Sequence, residues 1–170
     1  ILTEMHIKTD LSRIIKAAYH GLVNVKTEVD ARQITDELMD FIRQRQRGIL
    51  LDKGFAFDVV DAVLALNRSD LDDIQERVKA VQAFKAADKY EDFMVVFNRS
   101  HNLSKKWEST TVRAGNLEDE SEKILYQHML QAQQEVAQSL QANDYMQVMN
   151  ILADLRADLD RFFVAVMVMA

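Results

Sequence analysis

The chain of 170 residues contains no cysteine, no proline and only four glycines, Gly21, Gly48, Gly54 and Gly115. Without cysteine there is no disulfide framework, no thiol nucleophile and no cysteine-type zinc site. Proline and glycine are costly inside helices, so their scarcity marks a helix-rich chain. No apolar run approaches the ~20 residues needed to span a bilayer, and no membrane partner is expected. Basic side chains are also short, 21 against 27 acidic ones, for a formal charge of −6. That balance excludes an indiscriminate binder of DNA or of anionic membranes, although it leaves room for a local basic strip. The composition suits a reducing cytoplasm, and a cytoplasmic location is expected.

Catalytic signatures are missing as well. There is no HExxH, no phosphate-binding loop, no GxGxxG and no serine, histidine and acid that suggest a triad. The histidines His6, His20, His101 and His128 are scattered along the chain. His6 and Asp10 stand at i, i+4, a spacing that can share a metal, but such pairs are common on solvated helix faces, and no metal is expected. The chain by itself carries no catalytic set and no cofactor.

What is present is helical periodicity. Apolar residues recur at three- and four-residue steps nearly throughout, with no alternating strand. The pattern predicts helices over residues 2–20, 30–53, 58–66, from about 69 to 87, 90–106, 118–141 and 144–170. Gly21 and Gly54 are expected to stop the first two, and Asp70, Asp72, Asp73 and Glu76 suit the positive start of the fourth. In the second helix the expected buried stripe is Ile34, Leu38, Phe41, Ile42 and Ile49. In the fifth it is Phe93, Val96 and Phe97, and in the sixth Leu125, Met129, Ala132, Val136 and Leu140. Together these predict an all-α bundle of about seven helices, organised as an N-terminal connecting helix over residues 1–29 and a helical domain over 30–170. The last helix ends on Phe162, Phe163, Val166 and Met167 with no cap, and the chain opens in mid-pattern. Both ends suggest a domain cut from a longer polypeptide, truncated at its C-terminus.

Two basic groupings stand out. Arg43, Arg45 and Arg47 lie on the second helix. At about 100° per residue, Arg43 and Arg47 fall opposite the apolar stripe, where they read either as a phosphate clamp or as a solvated face. Arg45 falls inside the stripe, where an arginine needs a buried acid or a ligand anion, and Asp58 or Asp61 on the next helix would supply a structural ion pair. On the fifth helix, Arg99, Asn102 and Lys106 share one polar face flanked by Lys105, followed by Trp107, the only tryptophan. Basic and amide groups beside an aromatic suit a single-stranded RNA loop. The alternative for Trp107 is a plug at the end of the bundle.

Three ordered motifs then carry a family resemblance. Residues Phe41 through Gly48 with Leu50-Leu51 and Gly54-Phe55-Ala56-Phe57-Asp58-Val59-Val60-Asp61-Ala62-Val63-Leu64-Ala65 form the first. Phe97-Asn98-Arg99-Ser100-His101-Asn102-Leu103 is the second, and Asp160-Arg161-Phe162-Phe163-Val164-Ala165-Val166-Met167-Val168-Met169-Ala170 the third. The chain resembles the C-terminal region of bacterial glycyl-tRNA synthetase β subunits across essentially its whole length. Gln44, Gln46 and Val164 depart from that family's pattern, and the segments that flank the region in the family are missing here.

The resemblance implies an all-α anticodon-binding domain of the DALR type. It implies glycine-specific tRNA as partner, together with the rest of the β subunit and a separate α subunit in an α2β2 glycine–tRNA ligase. ATP and Mg would be used by that α subunit, and this part would contribute binding. Arg43, Arg47, Arg99, Asn102, Lys105 and Lys106 are the candidate tRNA-binding residues, with Arg45, Asp58 and Asp61 the candidate structural ion pair. The rival expectation is a structural or protein-interaction bundle without RNA contact.

Overall fold

The computed structural model describes residues 2–22, 30–105, 107 and 111–166 of the chain. Among them lie eight α-helices, one short 3-10 turn at Ala114–Asn116 and no strand, so the all-α expectation holds. The helices are α1 (Leu11–Gly21), α2 (Ala31–Asp52), α3 (Phe57–Leu64), α4 (Leu71–Phe84), α5 (Tyr90–Ser104), α6 (Glu120–Gln141), α7 (Tyr145–Ala153) and α8 (Arg156–Ala165). They form two compact units, residues 1–82 and 83–170. Helix α1 packs on α2 inside the first unit.

The first helix starts later than its apolar pattern suggested. Residues 2–6 form turns, and Asp10 caps α1 by accepting from the backbone N–H groups of Ser12 and Arg13. The same Asp10 oxygen accepts from the hydroxyls of Ser12 (2.6 Å) and Ser69 (2.7 Å), which ties α1 to the start of α4. The Ser12 hydroxyl, then the Ser69 hydroxyl, push the Asp10 carboxyl down to about 2. A cap ionised more readily in the fold than in the open chain stabilises fully above the ordinary carboxylate range near ~4, and that contribution is lost as pH falls through about 2. An NMR titration of Asp10 should give a midpoint near 2, and Ser69→Ala should move it upward. An ordinary carboxylate midpoint in the unsubstituted chain would contradict this.

Helix α2 begins at the Asp30 cap and ends where expected. Gly54 takes φ 87°, its N–H bonds the Leu51 carbonyl, and the Phe55 N–H bonds the Leu50 carbonyl. This is the Schellman arrangement, which needs a residue comfortable in the left-handed region. The buried line of α2, however, is Thr35, Met39, Gln46 and Leu50, one residue on from the expected Ile34, Leu38, Arg45 and Ile49. The helix is therefore turned by about 100°, and Leu38, Phe41 and Ile49 are exposed. Each of the two buried polar residues finds a backbone partner, although the Gln46 side-chain oxygen is left without one. The Thr35 hydroxyl donates to the Ala31 carbonyl (2.6 Å), and the Gln46 amide donates to the Leu71 carbonyl (3.1 Å).

The core of the first unit is Leu50, Val59, Val60, Val63, Leu64, Ile74 and Val78. In the second unit, α5 packs on α7 and α8, and α6 on the same two, around Phe84, Val96, Ala132, Tyr145, Ile151, Ala153 and Leu159. The single final helix expected over 144–170 is instead α7 and α8, separated at Asp154-Leu155, where the Leu155 N–H bonds three residues back to the Leu152 carbonyl.

Candidate nucleic-acid interface

Helix α5 carries the candidate residues of the second unit. Glu91 and Asp92 sit in its first turn and His101 in its last, the charge order that a helix dipole favours. Val96 faces the core. Phe97, expected to join it, is instead 52% exposed. Its ring lies between Phe93 (6.4 Å between centroids, 13° between planes) and His101 (5.7 Å, 5°). The three rings stand at i, i+4 and i+8, so one helix face carries a stacked ladder. Its inner rung is anchored, since Phe93 meets the buried Phe84 edge-on at 5.4 Å.

Around the ladder, the expected cations have different fates. The Arg99 guanidinium donates to Asp160 and lies 5.1 Å above the Phe163 ring. Asp160 also accepts from Arg156 (2.7 Å), and Arg156 first, then Arg99, hold its carboxyl below the usual range. The charge of Arg99 is thus already matched. Lys105 is exposed and donates to the Asn102 amide oxygen (3.1 Å), a neutral partner that leaves its charge uncancelled. Lys106 lies outside the described residues. Trp107 is 77% exposed, so it does not plug the bundle end.

In the first unit, Arg47 makes a two-pronged contact to Asp61 (2.6 and 3.0 Å). The pair raises the Arg47 pKa and lowers that of Asp61. Arg43 donates to the Asn67 side chain (2.7 Å) and pairs with Asp40 (3.1 Å). Both arginines line an open groove of about 430 Å³ between α2 and α3. Of the structural ion pair expected of Arg45 with Asp58 or Asp61, no contact of Arg45 with Asp61 is found among the described residues. Arg45 is exposed, and Asp61 is taken by Arg47, because the turn of α2 brings residue 47 rather than 45 toward α3. Arg43 and Arg47 belong to one unit and Arg99, Asn102 and Lys105 to the other.

Two further clusters carry histidine and acid side chains. His6 pairs with Asp72 (3.0 Å), not with Asp10, and with Glu76 they bring three ligand atoms within 4.8 Å of one another. Asp72 is already paired to His6, and Glu76 to Lys79 (2.7 Å). His128 bonds Asp158 (2.5 Å) beside a cavity of about 290 Å³ whose other charged walls are Glu135 and Asp154. Three carboxylates make that cavity hostile to phosphate.

Phe97, His101, Lys105 and Asn102 all lie in one segment with known counterparts, and Phe93 directly precedes it. Residues 94–170 match the DALR anticodon binding domain. Over a longer span the chain is similar to proteins named glycine--tRNA ligase beta subunit. It is 45% identical to that of Syntrophomonas wolfei over 99% of this chain and 25% of the relative. For Desulforamulus reducens the identity is 34% over 99% and 24%, and for Desulforudis audaxviator 36% over 94% and 23%. The expected resemblance therefore holds across almost the whole chain, which spans about a quarter of the length of these relatives. The DALR segment begins within α5 and takes in every helix of the second unit after it. Sequence reasoning placed Asn102 and Lys105 on its polar face but missed Phe97 and His101 as surface groups. Their four-residue spacing along α5 was the available signal.

Proposed function

We propose that this chain is the anticodon-arm recognition module of a heterotetrameric glycine–tRNA ligase. In this reading it holds tRNA so that the acceptor end reaches an α subunit, where ATP and Mg serve glycylation. The observation that carries the proposal is the match of residues 94–170 to an anticodon binding domain, on the same segment that presents Lys105, Asn102 and exposed aromatic rings. Recognition would combine phosphate contacts, which position the RNA, with contacts to unstacked bases, which select it.

The internal pairing of Arg43, Arg47 and Arg99 reshapes the expected clamp. Arginines that already hold carboxylates release little when they meet phosphate, because one charge partner is exchanged for another. Lys105 is the better phosphate contact of the described residues on α5. Binding of glycine tRNA to the chain, measured by fluorescence anisotropy over a series of salt concentrations, should weaken with salt. Lys105→Ala should reduce the log–log slope by about one. An unchanged slope would remove Lys105 from the interface. The same pairing also favours a second reading, a scaffold that packs within the synthetase without touching RNA, and salt-insensitive or absent tRNA binding would select it.

A further inference from the structure

We infer that the outer end of the Phe93–Phe97–His101 ladder is a stacking platform for one unpaired nucleobase of the bound RNA, with His101 as the ring that meets it. The inference rests on the RNA-binding reading above and gives that reading a site. The imidazole of His101 lies parallel to the Phe97 ring within 5°. Among the described residues no ring or hydrogen-bond partner engages the His101 side chain beyond Phe97. One flat face is thus supported from behind while the residue stays exposed.

The support is rigid. Phe97 is backed by Phe93, and Phe93 by Phe84, which is 1% exposed. A platform fixed by the core needs no ordering when a ligand arrives, so more of the stacking energy appears as affinity. An exposed phenyl ring in a soluble helix gains nothing from water, and stacking a base over the ladder removes apolar surface from solvent.

The surroundings favour a nucleotide over a peptide. Residues 93–107 include Arg99, Lys105 and Lys106 and no acid, in a chain of net charge −6. The ladder runs toward the C-terminal end of α5, where the ammonium of Lys105, the capping residue, offsets the partial negative charge of the unsatisfied carbonyls. Lys105 stands one turn beyond His101 on the same helix face, the spacing at which it can meet the phosphate of the same nucleotide.

The test uses the full chain and an RNA stem-loop with the anticodon-arm sequence of glycine tRNA, carrying 2-aminopurine at each unpaired loop position in turn. Stacking quenches this fluorophore, so one loop position should darken on binding. His101→Ala should abolish that quenching and weaken binding about ten-fold, within the range measured for loss of one base–aromatic stack. His101→Tyr should restore both. Because His101 is exposed, neither change should move the thermal unfolding of the chain. Phe97→Leu, which keeps bulk but removes the ring behind the platform, should reproduce part of the loss. If the stem-loop binds but no position is quenched, or quenching survives His101→Ala, the platform is wrong while the RNA reading stands. If no stem-loop binds at any salt concentration, both fall together.

Discussion

Phe84→Ala is expected to destabilise the second unit by about 3–5 kcal/mol, the usual cost of deleting a fully buried phenyl ring. Among the described residues Phe84 is the largest fully buried side chain, at 1% exposure. It meets Tyr90 at 6.2 Å and Phe93 at 5.4 Å, both edge-on, so the loss combines transfer, cavity and aromatic-pair contributions. The substitution also reaches function, since it removes the wall behind the inner rung of the α5 ladder. Urea unfolding followed by circular dichroism should show a large fall in midpoint. RNA affinity should fall even at urea-free conditions where the chain remains folded. A loss below about 1 kcal/mol would mean that the second unit is not centred on this ring.

Leu50→Ala is expected to cost about 2–5 kcal/mol in the first unit. Leu50 is 1% exposed and packs in the cluster of Val59, Val60, Val63, Leu64, Ile74 and Val78. Its carbonyl also receives the Phe55 N–H in the turn that closes α2. The backbone bond survives truncation, but the apolar contact that accompanies this kind of helix stop is lost. Ile49→Ala, one residue away on the exposed side, should cost well under 1 kcal/mol. The contrast tests the orientation of α2 directly. If Ile49→Ala proved the more damaging of the two, the helix would face the way its hydrophobic pattern suggested.

That orientation shows where sequence reasoning works and where it stops. The ends of α2 were legible because Asp30 and Gly54 act through local backbone chemistry. The face of α2 was not. Ile34, Leu38, Phe41 and Ile49 form the stronger apolar stripe, yet the fold buries Thr35 and Gln46, whose polar groups bond the Ala31 and Leu71 carbonyls. One of those bonds is made to another element, so it leaves no trace in the periodicity. The break between α7 and α8 was invisible for a related reason. Ala153, Asp154, Leu155 and Arg156 are all compatible with a helix, and neither glycine nor proline marks the change.

The candidate site divides in the same way. Asn102 and Lys105 were found because they share a helix face a few residues apart. The partner of Arg99 lies 61 residues away at Asp160, and spacing on one helix cannot reveal it. Arg47 rather than Arg45 reaches Asp61 for the reason that α2 turned: Asp58 and Asp61 were both open as the acid, and which arginine meets Asp61 is decided by tertiary packing. Phe97 was read as core because a phenyl ring on a helical stripe usually is; only its neighbours' rings show that it belongs to a surface stack.

The measurement that bears most directly on the account is a titration of the chain with glycine tRNA and with the same tRNA carrying a substituted anticodon, followed by fluorescence anisotropy at two salt concentrations. Recognition of the anticodon arm predicts salt-sensitive binding to both, tighter for the native anticodon, as expected when phosphates position the RNA and bases select it. Equal affinity for the two tRNAs would contradict it.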